Sequence, residues 1–429
     1  MRLPKLAALF VAAVGLPLLS ACATMTAQSS AAGAADPHLD VARRVLRAVP
    51  LVDGHNDLPW AIREDPTAPR DVRAYDLRRR TPGHTDLARL KEGMLGGQFW
   101  SVYVPGDWRD SGFARVQLEQ IDVARQVIAR YPELEWALTA DAIRAAHRAG
   151  RIGSLLGMEG GHVIENSLSA LRAYYDLGAR YLTLTHNVTI DWADAATGLP
   201  THGGLTEFGK EVVREMNRLG MLVDLSHVSP ATMSDALDVS EAPVIFSHSS
   251  TRAITDHPRN VPDSILARLK DNGGVVMITF VPGFVSKAVG DHAERQRAEQ
   301  LRLRQRFGAD TAGMAAAMTE WSAANPAPRA TMADVIAHLE HAKRVAGADH
   351  VGLGGDFDGI SEVVEGLEDV STYPALLAEL SRRGWTEAEL RKLAGENVLR
   401  ALARAEQVAK RLQGTRGPST KTIAELDGR

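Results

Sequence analysis

Along most of the chain, apolar runs of strand length alternate with stretches of helical period. The runs at 51–55, 98–104, 152–158 and 181–185 read as strands, as do 221–226, 243–247, 275–280 and 350–354. Their near-continuous apolar character is that of strands buried on both faces. Between them the period lengthens. After Thr206, residues Phe208, Val212, Met216 and Leu219 share one helical face, and Gly220 ends the segment. The segment 141–149 ends at Gly150 in the same way. Eight such strands separated by helices predict an α/β fold of the (β/α)8, TIM-like barrel type rather than an open sheet. The run 134–138 is a ninth strand candidate. Residues 286–329, rich in Arg, Gln, Glu and Ala, interrupt the alternation and predict a helical insertion after strand 7 with a solvated charged face. Residues 386–412 read as helix.

The two ends change the picture. Arg2 and Lys5 precede an apolar run at 6–19 and the small pair Ser20-Ala21, which is the layout of a secretory signal and too short to span a bilayer. The single cysteine of the chain, Cys22, follows Leu19-Ser20-Ala21 directly. That resembles the lipobox of bacterial lipoproteins, in which the cysteine is lipidated and becomes the first residue. The chain is therefore expected to divide into a signal peptide (1–21), a flexible Ala/Ser/Thr-rich tether (22–40), a barrel domain (41–412) that carries whatever chemistry the chain performs, and a polar C-terminal tail (413–429). Ala23 after the cysteine resembles the signal that sorts lipoproteins to the outer membrane. The expected location is the cell envelope, lipid-anchored and facing the periplasm. One cysteine excludes an intrachain disulfide, so stability has to come from a packed core. Charged residues make up 24% with no long run of one sign, which argues against a nucleic-acid surface. Loss of residues 1–21 would take the formal charge from −4 to −6.

Catalytic groups of a parallel barrel sit where strands end and loops begin. Those positions carry His55-Asn56-Asp57, Glu159-Gly160-Gly161-His162, His186-Asn187, Ser226-His227, Ser247-His248 and Asp356-Phe357-Asp358. Five of the 14 histidines fall in these short stretches. One at a time, each residue has an ordinary reading. His227 or His248 would be a hydrogen-bonded core histidine, Glu159 a capping carboxylate, and His162 a loop residue. Asp356 and Asp358 would be turn residues. Converging on one mouth, however, these imidazoles and carboxylates would be poorly compensated without a cation, and their mixture suits zinc.

One arrangement uses them economically. His55 and Asp57 hold one metal ion, His227 and His248 a second, and Glu159 bridges the two. A water shared by such a pair has a lowered pKa. Asp356 would take its proton and pass it to the leaving group, and His186 would donate to the oxyanion. Arg259, after the sixth strand, either clamps a substrate carboxylate or makes a surface ion pair.

The set His55-Asn56-Asp57-Leu58-Pro59, Gly157-Met158-Glu159-Gly160-Gly161, Asp224-Leu225-Ser226-His227, Ser247-His248-Ser249 and Gly355-Asp356-Phe357-Asp358-Gly359 resembles the membrane (renal) dipeptidase family and its bacterial relatives, within the amidohydrolase-like metal-dependent barrels. The resemblance runs over about residues 41–405 with the motifs in family order. It implies a two-zinc hydrolase of dipeptides with a free C-terminal carboxylate, tolerant of an L- or D-residue there. It also implies the metal ligands His55, Asp57, Glu159, His227 and His248, substrate contacts from His186 and Arg259, and Asp356 rather than Asp358 as the proton carrier. Opening of certain β-lactams and a homodimeric state belong to the same expectation. The chain departs from animal members in lacking their disulfide cysteines, in its N-terminal anchor, and in carrying Phe284 where the renal enzyme has a tyrosine. The Val281-Pro282-Gly283-Phe284 loop predicts an apolar wall to the pocket.

Two other readings compete. A related binuclear metallohydrolase would act on lactones, phosphoesters or N-acyl amino acids; such barrels often begin His-x-His and bridge their metals with a carboxylated lysine, whereas this chain has His-x-Asp and Glu159. A non-catalytic metal-binding lipoprotein would be attractive had a ligand or Asp356 been lost, and none has.

Overall fold

The computed structural model describes residues 36–109 and 112–429. The expected signal peptide, Cys22 and most of the expected tether lie outside the described residues. Among the described residues nine strands form the sheet: β1 (Leu51–Asn56), β2 (Leu95–Tyr103), β3 (Leu134–Trp136), β4 (Ile152–Glu159), β5 (Ala179–Thr183), β6 (Leu222–Asp224), β7 (Ile245–Ser249), β8 (Val275–Ile278) and β9 (Val351–Leu353). All pair in parallel. β2 and β4 pair directly over Gly97–Tyr103 and Gly153–Glu159, closing a barrel of the eight strands other than β3. The ninth strand candidate is real but stands outside that ring. β3 pairs with β4 only at Ile152–Ser154, and β5 takes over from Leu156 onward.

The barrel interior shows how sequence alternation builds the site. Inward positions at mid-height are apolar: Val52, Phe99, Leu155, Tyr181, Leu222, Ile245, Val275 and Met277 are fully buried in one cluster. Helices Ala140–Arg148 and Asn397–Gln413 close the lower end with Ile143, Val398, Leu399 and Leu402. Each such side chain contributes about 1.5–3 kcal/mol on burial. Two to four residues further along the strands the same face turns polar, because successive inward positions are i and i+2. Leu155 leads through Gly157 to Glu159, Tyr181 to Thr183, Leu222 to Asp224, and Ile245 to Ser247. Gly157 is required here, since a Cβ would lie 1.9 Å from the Tyr181 ring.

The insertion after the seventh barrel strand is helical as expected. Lys287–Phe307 buries only His292 and Leu303, and Thr311–Ala324 buries nothing. The 386–412 stretch is helical throughout, but with a π turn at Lys392–Glu396, where Gly395 passes close to the Pro50 carbonyl.

Both expected boundaries of the barrel domain move outward. Pro37–Ala48 is a helix whose Ala42, Val45 and Leu46 are buried, so residues 37–40 of the expected tether are its first turn. Proline at the first helical position and the 42/45/46/49 apolar spacing account for it. The C-terminal tail is polar but docked. Ser419 is held through its carbonyl by Arg172 and through its N–H by Glu215, and the Ile423–Asp427 helix ends with Asp427 accepting from the Phe208 N–H. These anchors are side-chain to backbone bonds, which leave no apolar period in the sequence.

Candidate active site

The upper end of the barrel brings together residues from six strand ends. His55 Nε2 lies 3.2 Å from Asp57 Oδ2, 3.6 Å from Glu159 Oε2 and 3.9 Å from Asp356 Oδ1. On the other side of Glu159, Oε1 is 2.9 Å from His227 Nε2 and 3.3 Å from His248 Nε2, and those two nitrogens are 2.9 Å apart. His186 Nε2 stands 4.0 Å from the same oxygen, its ring against His227 and Tyr103. Every group in the cluster is buried or nearly so. Glu159 thus faces one set of ligand types with each oxygen.

The outer nitrogens of the three imidazoles fix their tautomers. Tyr181 hydroxyl donates to Gly54 O, so at 2.8 Å it accepts from His55 Nδ1. Ser247 hydroxyl donates to Asp224 Oδ2 at 2.6 Å and accepts from His248 Nδ1 at 2.8 Å. Asn187 Oδ1 accepts from His227 Nδ1 at 3.1 Å. With the Nδ1 positions protonated, three neutral Nε2 lone pairs point at one another and at carboxylates. Such a cluster is repulsive until a positive charge enters it. His55 Nε2 and Asp57 Oδ1 are buried without a hydrogen-bond partner. The separations of 2.9–3.3 Å among Glu159, His227 and His248 match the edges of a tetrahedron with ligand bonds of about 2.0 Å. The donor set fits divalent zinc, and each imidazole has the second partner that oriented metal ligands need.

The electrostatics agree. Burial opposes a charged His55, but Tyr181, Asp57 and Glu159 outweigh it and raise its pKa well above the usual value, a demand for positive charge at Nε2. Burial also opposes charge on Glu159, yet the four imidazoles around it hold its carboxyl well below the usual range. His227 and His248 are pushed well down, first by burial. Asp356 is pushed well up by burial, with Asp57 and Glu159 adding to that and His55 and Arg259 opposing it. Its φ of 62°, like the 68° of His227, is left-handed backbone at a non-glycine residue, the kind of strain that collects at functional sites. Three alternative ligand triplets are geometrically available: His55/Asp57/Glu159, Glu159/His227/His248 and His55/His248/Asp356.

Beside the cluster opens a cavity of about 340 Å³. Arg259 forms part of its wall, fully buried, with long bonds to Ser249 Oγ (3.4 Å) and the His248 carbonyl (3.3 Å) and no partner at Nε. Burial pulls its pKa to about 10, so it stays charged at neutral pH. No carboxylate pairs with it among the described residues, which disposes of the surface ion-pair reading. Its guanidinium sits over Phe284, 5.3 Å from the ring centre, and Val281, Phe284, Trp60, Tyr103 and Ile360 supply the expected apolar surface.

Two residues from the strand-end stretches have other roles. His162 bonds the Val104 carbonyl through Nε2 at 2.9 Å, with its ring edge against Phe113. Asp358 accepts from the His84 N–H at 2.6 Å and returns its own N–H to His84 Nδ1, pinning the loop before β2. Sequence reasoning gave no role to Tyr181, Asn187, Ser247 or Asp224. All lay inside stretches already singled out, and inward i, i+2 alternation was the signal for Tyr181, Asp224 and Ser247.

A family model described as membrane dipeptidase, peptidase family M19, matches residues 39–416. Among solved structures, the probable dipeptidase PvdM from Pseudomonas aeruginosa is 23% identical, with 88% of this chain and 100% of that one covered and a TM-score of 0.75. The dipeptidase AC, a metallopeptidase of family M19, is 28% identical, with 83% and 98% covered and a TM-score of 0.68. A metallopeptidase from Rhodobacter sphaeroides, liganded with a phosphinate mimic of the dipeptide L-Ala-D-Ala, is 27% identical, with 83% and 99% covered and a TM-score of 0.68.

Proposed function

The chain belongs to the membrane dipeptidase family, peptidase family M19, and is a metal-dependent hydrolase of that kind; from this premise we propose that it is a two-zinc dipeptidase acting on dipeptides with a free C-terminal carboxylate of L- or D-configuration. The observation that carries the reading is the set of three Nε2 lone pairs converging on Glu159. His55 and Asp57 would hold one ion, His227 and His248 the other, and Glu159 both. Bound there, the pair supplies Lewis acidity and a water of lowered pKa.

The remaining steps belong to the chain's own side chains. Arg259, charged and without a salt-bridge partner among the described residues, receives the substrate carboxylate and turns the peptide bond toward the cluster. His186, kept neutral by burial, presents a donor to the oxygen on which charge develops. Asp356 takes the proton of the attacking water and returns it to the departing amine. The dipeptide mimic held by the Rhodobacter protein supports a D-residue on the C-terminal side.

A panel of L,L- and L,D-dipeptides, assayed with and without a chelator, tests the reading. Hydrolysis should stop with chelator and return on adding zinc. In the same panel Arg259→Ala should raise KM by roughly 10²-fold on free-carboxylate substrates and change amidated ones little. An equal effect on both would remove the clamp role.

We also propose attachment to the outer membrane, facing the periplasm, through a lipid on Cys22, supported by the Leu19-Ser20-Ala21-Cys22 signal. Wild-type protein should then partition into detergent and Cys22→Ala into the aqueous phase. A variant that still partitions into detergent would rule the anchor out.

A further inference from the structure

The Arg259 wall does not hold itself. Its guanidinium makes two long bonds and rests on the Phe284 ring, so its placement depends on the turn that carries Phe284. That turn is the four-residue helix Pro282–Val285, too short to satisfy its own last carbonyls. Side chains from two other elements satisfy them. Asn260, next to Arg259, donates from Nδ2 to Phe284 O at 2.8 Å. His338, from helix Met332–Ala346 beyond the insertion, approaches Val285 O with Nε2 at 3.1 Å, and the Thr255 hydroxyl donates to the same oxygen at 3.2 Å. The tautomer follows from its other nitrogen. The Thr251 backbone N–H can only donate, and it lies 3.0 Å from His338 Nδ1, so the proton is on Nε2. Burial holds the His338 pKa near 4, which keeps that neutral form at working pH. Asn260 and His338 are both fully buried.

We infer that His338 and Asn260 are positioning residues for substrate selection: by locking the loop of Arg259 to the turn of Phe284, they set the preference for a free C-terminal carboxylate. Neither residue touches the metal cluster or the cavity. The inference rests on the reading of Arg259 as the carboxylate clamp. A purely architectural role predicts something different, an equal loss on every substrate.

The test uses full-length metal-loaded enzyme and one dipeptide with its C-terminal amide, comparing kcat/KM on the two together with bound metal. His338→Ala should shrink the preference for the free carboxylate by about tenfold, mainly through KM, since small misplacements of binding groups are costly. Bound metal should be unchanged, and His338→Gln, which restores a donor and an acceptor, should recover part of the preference. Asn260→Ala should act in the same direction, and its result decides the matter if His338→Ala does not fold. Equal losses on both substrates, while Arg259→Ala still abolishes the preference, would overturn the inference and leave the clamp standing. A preference intact in Arg259→Ala would overturn both.

Discussion

Glu159→Ala is expected to abolish dipeptide hydrolysis and to lower bound metal from two ions to about one or none. The size of the effect follows from what Glu159 faces. One oxygen serves the His55 side and the other lies within 3.3 Å of both His227 and His248. Asp356 also comes near both His55 and His248, but it stands 3.9 Å from His55 Nε2 and does not belong to the Glu159/His227/His248 group, so truncation of Glu159 leaves three inward lone pairs with one anion less to balance the cations they would hold. Loss of groups outside the first ring of ligands already costs 10–100-fold, and loss of the shared ligand should exceed that. Glu159→Gln separates charge from shape, because it fills the same space at the end of β4 and keeps one acceptor. It should fold like wild type and lose metal nearly as fully as the alanine variant. Atomic emission on the purified proteins reads the stoichiometry directly. Two ions retained by Glu159→Gln, or full activity in a metal-free Glu159→Ala protein, would remove the bridge from the mechanism.

Much of this site is legible in the sequence, for a physical reason. A parallel barrel buries its strands on both faces, so their apolar runs stand out in the sequence, and any ionisable residue at their ends is conspicuous. His55, Asp57, Glu159, His227 and His248 were legible in that way and do converge. What holds them was less legible. Ser247 looks like an ordinary serine until its hydroxyl is seen between Asp224 and His248. Asn187 owes its place to the loop after β5 rather than to any period. His338 stands 90 residues from His248 in the chain and enters through a helix whose pattern announces only packing. The tail fared similarly, because Thr422 and Glu425 form a capping box that is visible in the sequence, but nothing there says where the helix docks.

The hardest distinction concerns Asp356, which sits 3.9 Å from His55 and belongs to one of the three geometric ligand triplets. A proton carrier and a metal ligand make opposite predictions for Asp356→Asn. The substitution is mild on the backbone: φ is 62°, a region asparagine tolerates far better than alanine, and the side chain keeps its shape. If Asp356 moves the proton, the variant should bind two ions with wild-type affinity and leave KM nearly unchanged. Its kcat should fall by about 10²–10⁴-fold, the usual worth of a positioned acid or base. If Asp356 is a ligand, metal content should drop with activity, and added zinc should restore part of it. Burial favours the first outcome. A carboxyl whose pKa is driven well up by its surroundings keeps a proton more readily than the depressed Glu159 nearby. Two carboxylates in one pocket, pushed in opposite directions, would then divide the work between a group that stays charged to hold cations and one that can take up and release a proton. Asp356→Asn with intact metal and intact kcat would refute that division, and the proton would have to travel through another group.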